Sequence, residues 1–343
     1  MEERKYPKRK RLIPWRSYNA ASVSEKAKFQ MLLAESVRGI DEPIQERGRP
    51  RALYSDMLFS AAFKVYSTFS GRRFTTDLRE AHAKGYITHV PHFNIVFRYL
   101  QSNALTPYLH QLIEQSSLPL RGIENDFAVD STGLSTDQFA RWFSTKWGTD
   151  VEHRDWVKLH LICGVRTHIV GCAIITHRNA NDSPFYRPLL GAIVENGFEV
   201  KEVSADKAYF SGENMRVTLA RGADYYVPFK SNANPEGKST LWKRLYHFYH
   251  FHQDEFLQRY HQRSNVETVF SMIKSKFGER LRSKMHSAQV NEALCKVLCH
   301  NICVLVRGIH ELNLDPVFWQ GGVSADELVA PKNPRLHLKS VNS

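Results

Sequence analysis

Residues 157–164, VKLHLICG, and 168–176, HIVGCAIIT, are two apolar runs joined by a short turn at Val165–Thr167. Their length and their content of β-branched residues predict two strands of a hairpin. Working outward from them, Phe127–Asp130 (FAVD) is another short strand candidate, placed where the pattern changes at about residue 124. On the other side, 183–196 has helical spacing and stops near Asn196-Gly197. Residues 198–205 form a fourth strand candidate with Asp206 at its end, followed by a helix near 212–221 and a strand at 224–229. Strands that first run as a meander and then alternate with helices predict a mixed α/β sheet flanked by helices.

The flanks of this sheet read as helical. Tyr54, Leu58, Ala61, Ala62, Val65 and Phe69 recur at helical spacing, and Arg72 and Arg73 lie in the break after Gly71. A short helix near 75–83 ends at Gly85, and another begins after Pro91 with Phe93, Val96, Phe97 and Leu100 facing one way. Three helices with a tight turn suit a helix-turn-helix within 45–120 or a plain helical bundle, and the residues do not choose between them. Residues 1–20 carry Arg4, Lys5, Lys8, Arg9, Lys10, Arg11 and Arg16, interrupted by Pro7 and Pro14: a basic flexible arm or a solvated tail. Beyond the sheet, 231–240 is a turn-rich connection, one long helix is expected over 254–277, an apolar helix over 287–309, and an irregular tail over 311–343. The expected division is an arm (1–20), a helical unit (45–120), a sheet-containing unit (121–310) and the tail.

Composition narrows the partners. The 343 residues carry 47 Lys and Arg against 35 Asp and Glu, a net charge of +12, and such an excess favours a polyanion such as nucleic acid. Five cysteines are too few and too uneven for a secreted disulfide scaffold, and no run approaches the roughly 18 apolar residues of a membrane span. A protein acting in the cytoplasm, with no membrane partner, is expected.

Three acids stand out. Asp130 closes FAVD and Asp206 closes EVKEVSAD, so both end strand candidates, where α/β sheets place ligand sites. Each alone is weak, because aspartate is also a turn residue. On the helix expected over 254–277, Tyr260, Arg263, Glu267 and Lys274 fall within a stripe of about 60° at 100° per residue. That stripe borders the apolar face formed by Val266, Val269, Phe270, Ile273 and Phe277 rather than opposing it. A carboxylate so placed is held rigidly and still reaches a cleft, although a solvated Arg–Glu pair has the same spacing.

The pattern Tyr260-x2-Arg263-x3-Glu267-x6-Lys274 resembles the Tyr-x2-Arg-x3-Glu-x6-Lys signature of bacterial and archaeal DDE insertion-sequence transposases. The whole block YHQRSNVETVFSMIKSKFG looks like that family, and VDSTGLS and SADKAY are similar to its two Asp blocks. The resemblance covers roughly 50–310. It implies a ribonuclease-H-like mixed sheet with Asp130 on the first strand, Asp206 after the fourth and Glu267 on a later helix. The interval between Asp206 and Glu267 is too short for the large β insertion that some relatives carry. The implied activity is DNA cleavage at element ends and strand transfer into target DNA. Asp130, Asp206 and Glu267 would be catalytic and would hold two Mg²⁺ ions, with Mn²⁺ as substitute; such a pair generates a nucleophile and steadies the leaving oxygen. Arg263 and Lys274 would contact phosphate, and Tyr260 would touch the DNA end. Lys158, Lys207 and Lys230 are further phosphate candidates. Double-stranded DNA, a homodimer on DNA and a nucleoid location follow from the same resemblance.

Other features are weighed against simpler explanations. Cys295, Cys299 and Cys303 share one helix face among apolar residues, which suits core packing better than a metal. His247, His250 and His252 sit in an aromatic helix expected to pack under the one carrying Glu267. Asp126 shares strand parity with Asp130, and Trp142, Trp147 and Trp156 suit a core or base stacking. A tyrosine recombinase is disfavoured because none of the 16 histidines has an arginine three residues later. A DNA-binding protein descended from a transposase, and a nuclease of the same fold that does not join strands, both remain as alternatives.

Overall fold

The computed structural model describes residues 14–45, 48, 51–136, 156–230, 233–236 and 239–319. The basic residues before Pro14, Trp142, Trp147 and the tail from 320 onward lie outside the described residues. Strands β1 (Asp126–Ser135), β2 (Trp156–Gly164), β3 (Val170–His177), β4 (Glu202–Ala205) and β5 (Asp224–Tyr226) form one sheet in the order β3-β2-β1-β4-β5. The first three run antiparallel as a meander, and β4 and β5 join parallel to β1. This is a mixed α/β fold whose five-stranded sheet is flanked by helices, consistent with the ribonuclease-H-like arrangement.

Among the described residues five α-helices precede the sheet: α1 (Trp15–Arg38), α2 (Tyr54–Ser67), α3 (Gly71–Ala83), α4 (Phe93–Leu100) and α5 (Thr106–Ser117). Between β3 and β5 lie α6 (Tyr186–Glu195) and α7 (Gly212–Leu219). After the sheet come α8 (Thr240–Phe251), α9 (Gln253–Tyr260), α10 (Ser264–Phe277) and α11 (His286–Leu312). Local chemistry fixes several of these ends. The hydroxyls of Ser211 and Ser239 accept the amides of Asn214 and Trp242 at the starts of α7 and α8. Gly278, at φ +84°, ends α10 in a conformation that a Cβ would strain.

The sheet has two distinct faces. Ala128, Leu134, Val157, Leu159, Leu161 and Cys163 point toward α5, α10 and α11, in a core continuous with α1 and α2. Phe127, Val129, Ile162 and Val203 point the other way, into a second core built on Leu189, Leu190, Tyr209 and Tyr225 and extended by Phe229 and Trp242. The 27-residue α11 is the pillar of the first core. It is long and apolar enough to cross a membrane, but most of it is buried inside this protein, as in the core helix of a globular fold. Its polar side chains are tied to neighbours: Asn301 accepts the Val170 amide at 2.9 Å and donates to the Val170 carbonyl at 2.7 Å, docking α11 on β3.

Several boundaries differ from expectation. β1 continues to Ser135, so Asp130 lies mid-strand opposite Leu161 rather than at a strand end. Pairing with β2 carries the strand on through Ser131–Ser135. The helix expected over 254–277 is two helices separated by a 3₁₀ turn at His261–Arg263. No glycine or proline marks the break; it falls where the chain meets β1 and β4. Helix α1 was not expected and begins inside the proposed arm. Its inner face mixes Ala21, Gln30 and Ser36 with Phe29, Leu33 and Val37, so no clean apolar stripe shows in the sequence. Arg72 and Arg73 lie in the first turn of α3, not in a break before it. The aromatic helix α8 packs at the β5 end, through Trp242 on Phe229 and Tyr249 on Phe256, rather than under α10.

Candidate active site

Side chains alternate across a strand, and β1 uses this to sort its polar residues. Asp130 shares parity with Ala128 and emerges on the α10 face; Ser131 emerges on the other. The parallel pairing of β1 with β4 runs from Asp126↔Glu202 to Val129↔Ala205, so the next step along both strands sets Asp130 beside Asp206. Asp206 is the first residue beyond β4, in extended backbone before the turn Lys207–Tyr209. Helix α10 lays Val266, Val269, Phe270, Ile273 and Phe277 on the core and packs on β1, which carries Glu267 to the rim.

Arg263 joins these elements. Its Nη1 donates to Asp130 Oδ2 at 2.6 Å and its Nη2 to Glu267 Oε1 at 2.6 Å, so one guanidinium spans the strand acid and the helix acid. The Tyr260 ring lies 5.8 Å from the guanidinium carbon, close enough for a cation–π contact. Burial raises the Asp130 carboxyl above its ordinary value and the Asp206 charge adds to the rise, against the Ser131 amide and Arg263. Burial likewise raises the Tyr260 hydroxyl, opposed by Arg263. For Arg263 burial pulls the other way, but Tyr260, Asp130 and Glu267 outweigh it and the guanidinium is held charged.

The structure thus brings together Asp130 from β1, Asp206 from the end of β4, and Tyr260, Arg263 and Glu267 from the stretch 260–267. Lys274 lies two helical turns beyond Glu267 on α10, 4.0 Å from Glu279. Lys207 and Lys230 are exposed beyond the ends of β4 and β5. Lys158 falls elsewhere, on the opposite face of the sheet, bound to Asp182 at 2.8 Å and to the Ala180 carbonyl at 3.0 Å. Asp126 is at the far end of β1, beside Glu202, which pairs with Arg259 at 2.7 Å. The five cysteines are all buried, with Cys295, Cys299 and Cys303 packed as small core side chains.

A second polar cluster backs the first through the sheet. Asp182 Oδ1 receives the Ser131 hydroxyl at 2.8 Å and the Lys158 ammonium at 2.8 Å, with His160 Nδ1 at 3.3 Å. His160 also meets the Tyr209 hydroxyl at 3.1 Å and Thr176 at 2.9 Å, and is wholly buried. Burial lowers its imidazole to about 4, with Lys158 assisting and Asp182 opposing. Sequence reasoning missed both residues. The signal for His160 was a lone histidine inside the apolar run VKLHLICG; Asp182, in the run ANDSPF, looked like an ordinary turn residue.

Among the described residues no three His, Cys, Asp or Glu side chains converge as a ready-made metal cage. The donor chemistry nevertheless suits a hard divalent cation: Asp130 and Asp206 are neighbouring carboxylates, and Glu267 is one guanidinium away.

Comparison with known proteins agrees with this architecture. The family model for the transposase DDE domain matches residues 122–302, from just before β1 into α11. A probable transposase for insertion sequence element ISA1214 from Archaeoglobus fulgidus is 26% identical over 181 residues, which is 53% of this chain and 54% of the relative. The chain therefore spans about half the length of that relative. The matched region includes the whole sheet and every residue that Arg263 connects, and it exceeds half of the chain: the protein belongs to the DDE transposase family.

Proposed function

We propose that the protein cuts DNA at the ends of an insertion sequence and transfers the freed 3′ end to target DNA, using two Mg²⁺ ions for which Mn²⁺ can substitute. The observation that carries this reading is that Asp130 and Asp206 stand side by side where β1 and β4 pair, with Glu267 on α10 joined to Asp130 through Arg263. Membership of a family whose members act on DNA with divalent metals supports it, as do the net charge of +12 and the insertion-sequence name of the relative.

Asp130, Asp206 and Glu267 would hold the cations. A bound pair supplies an activated oxygen nucleophile and charge stabilisation for the departing 3′-oxygen. Asp130 sits on a strand braced on both sides, so its position varies little. Arg263 neutralises Asp130 and Glu267 while no cation does, and keeps the two acids on one side of the cleft; released from them, its guanidinium reaches a phosphate. Lys274, Lys207 and Lys230 ring the opening as phosphate contacts, and Tyr260 packs against the DNA end. Lys158 braces β1 and β2 instead. Two copies acting on paired element ends, at the nucleoid, complete the proposal.

The test is incubation of the protein and duplex DNA carrying its own element's ends, with Mg²⁺ or Mn²⁺. Metal-dependent nicks followed by joined products are expected. Nicks without joined products identify a nuclease, and binding without nicks identifies a DNA-binding descendant; either result ends the transposition reading.

A further inference from the structure

A cavity of about 330 Å³ lies between the start of α3 and the segment that connects α10 to α11. Its charged lining is lopsided: Lys64, Arg282, Lys284 and Lys296 against Glu292 alone. Most of these groups are spoken for. Glu292 accepts the Arg282 and Ser283 amides at 2.8–3.0 Å, and Lys296 donates to the Gly278 and Arg280 carbonyls at 2.7 and 2.9 Å. Arg282 donates to the Thr68 carbonyl.

Lys64 is different. It is 8% exposed and lines the cavity, and its ammonium makes no hydrogen bond or ion pair among the described residues; its Nζ lies 5.9 Å from the Phe74 ring centre. Burial and the Arg282 charge lower its ammonium to about 8, with Glu292 opposing. An ammonium enclosed beside a ring face, with no hydrogen-bond acceptor, is costly, and the cost falls when an anion arrives. The same cavity is lined by Ser70 and Gly71, where the 13-residue α3 begins. That helix start has no side-chain cap and no acid in its first turn, which carries Arg72 and Arg73 instead. Uncapped amides at a helix N-terminus are anion ligands.

We propose that this cavity is a phosphate site, separate from the acidic cluster, in which a DNA backbone phosphate sits against Lys64 and the first amides of α3. The proposal rests on the DNA-acting reading above. It gives the basic start of α3 a role, and it ties a helix of the N-terminal region to the same DNA held by the acidic site. A backbone phosphate fits better than a base because the groups that would hold it, the Lys64 ammonium and the first amides of α3, are a cation and donors, so the site reads no sequence.

The experiment measures binding of a duplex of arbitrary sequence across a salt series, without divalent metal, for the wild-type protein, Lys64→Met, Lys64→Arg and Ser70→Glu. Each lost phosphate contact makes the slope of log affinity against log salt shallower by about 0.9. Lys64→Met should lose about tenfold in affinity and this increment of slope, and Lys64→Arg should keep most of both. Lys64→Met removes a buried charge, so its melting temperature should not fall. Ser70→Glu guards against misfolding of that variant: it places an internal carboxylate at the start of α3, favours the helix, and should show the same loss of slope. If the wild type binds duplex and neither Lys64→Met nor Ser70→Glu changes affinity or slope, the site is overturned while the DNA reading stands. If the wild type fails to bind duplex at any salt, both fall. If inorganic phosphate raises the melting temperature of the wild type but not of Lys64→Met, while duplex affinity is unchanged, the cavity takes a free anion and the DNA assignment is overturned.

Discussion

Asp130 and Ser131 are neighbours on β1 whose side chains leave the sheet on opposite faces, and the two acid clusters they join differ in kind. On the Ser131 face, one oxygen of Asp182 is surrounded by Ser131, Lys158 and His160, and all three come from the paired strands β1 and β2. Its partners are short or strand-mounted, so the cluster behaves as a strut. On the Asp130 face the main partner is the arm of Arg263, which also holds Glu267, while Asp206 stands alongside as a like charge. That cluster carries more acid than base, and its one cation reaches it on a side chain from outside the sheet. An acid saturated by rigid partners is structural; an acid in surplus, held by one mobile cation, is available for chemistry.

The largest effect expected from this contrast is on catalysis. If Asp206 holds a cation as proposed, Asp206→Asn should lower metal-dependent nicking by about 10³-fold or more, because several kcal/mol of charge stabilisation go with a lost ligand. Its urea midpoint should barely move. A comparable loss of stability would place Asp206 among the struts and break the comparison. Asp182→Ala should do the reverse: about 3 kcal/mol of folding stability lost in urea titration, from leaving Lys158 and His160 without their acid, with divalent cation affinity by calorimetry nearly unchanged.

The same strut predicts a pH dependence. The folded His160 imidazole titrates at about 4, below its unfolded value near 6.5, so the unfolded chain binds more protons between these values. Stability should therefore be full above about pH 6.5 and fall as pH drops toward 4, with His160 contributing up to about 3 kcal/mol. His300, buried in α11 and lowered to about 4 by burial, adds to the same window. His160→Gln should flatten the curve only in part, and an unchanged curve would remove His160 from the strut. The smallest expected effect is at the rim. Lys230→Gln should cost only a few-fold in duplex affinity and at most about 0.9 in salt slope, with no change in melting temperature.

Legibility tracked how local each signal was. The strands β2 and β3 were readable because each apolar run is continuous and bounded by a turn. Glu267 was singled out because the residues that flag it, Tyr260, Arg263 and Lys274, lie in the same short stretch of chain. Asp130 and Asp206 were readable as residues, but not as neighbours: their adjacency comes from parallel pairing of β1 with β4, across 76 residues that include a hairpin and α6. The 3₁₀ turn at His261–Arg263 was invisible, because no residue there forbids a continuous helix. That turn nevertheless sits where Arg263 reaches Asp130. Asp182 could not be found by inspection, since its partners are 22 to 51 residues away and it resembles any turn aspartate.

By itself the sequence determined the alternation of strands and helices and the basic balance of charge, because these depend on residue type and short-range period; it singled out the three acids only through their resemblance to the family's motif blocks. Only the tertiary structure decided which acids face each other, which lysine braces the sheet rather than meeting solvent, and that a single arginine spans strand and helix. Those outcomes depend on strand order and side-chain parity, which are set by burying two apolar faces at once and are encoded in no single stretch of chain.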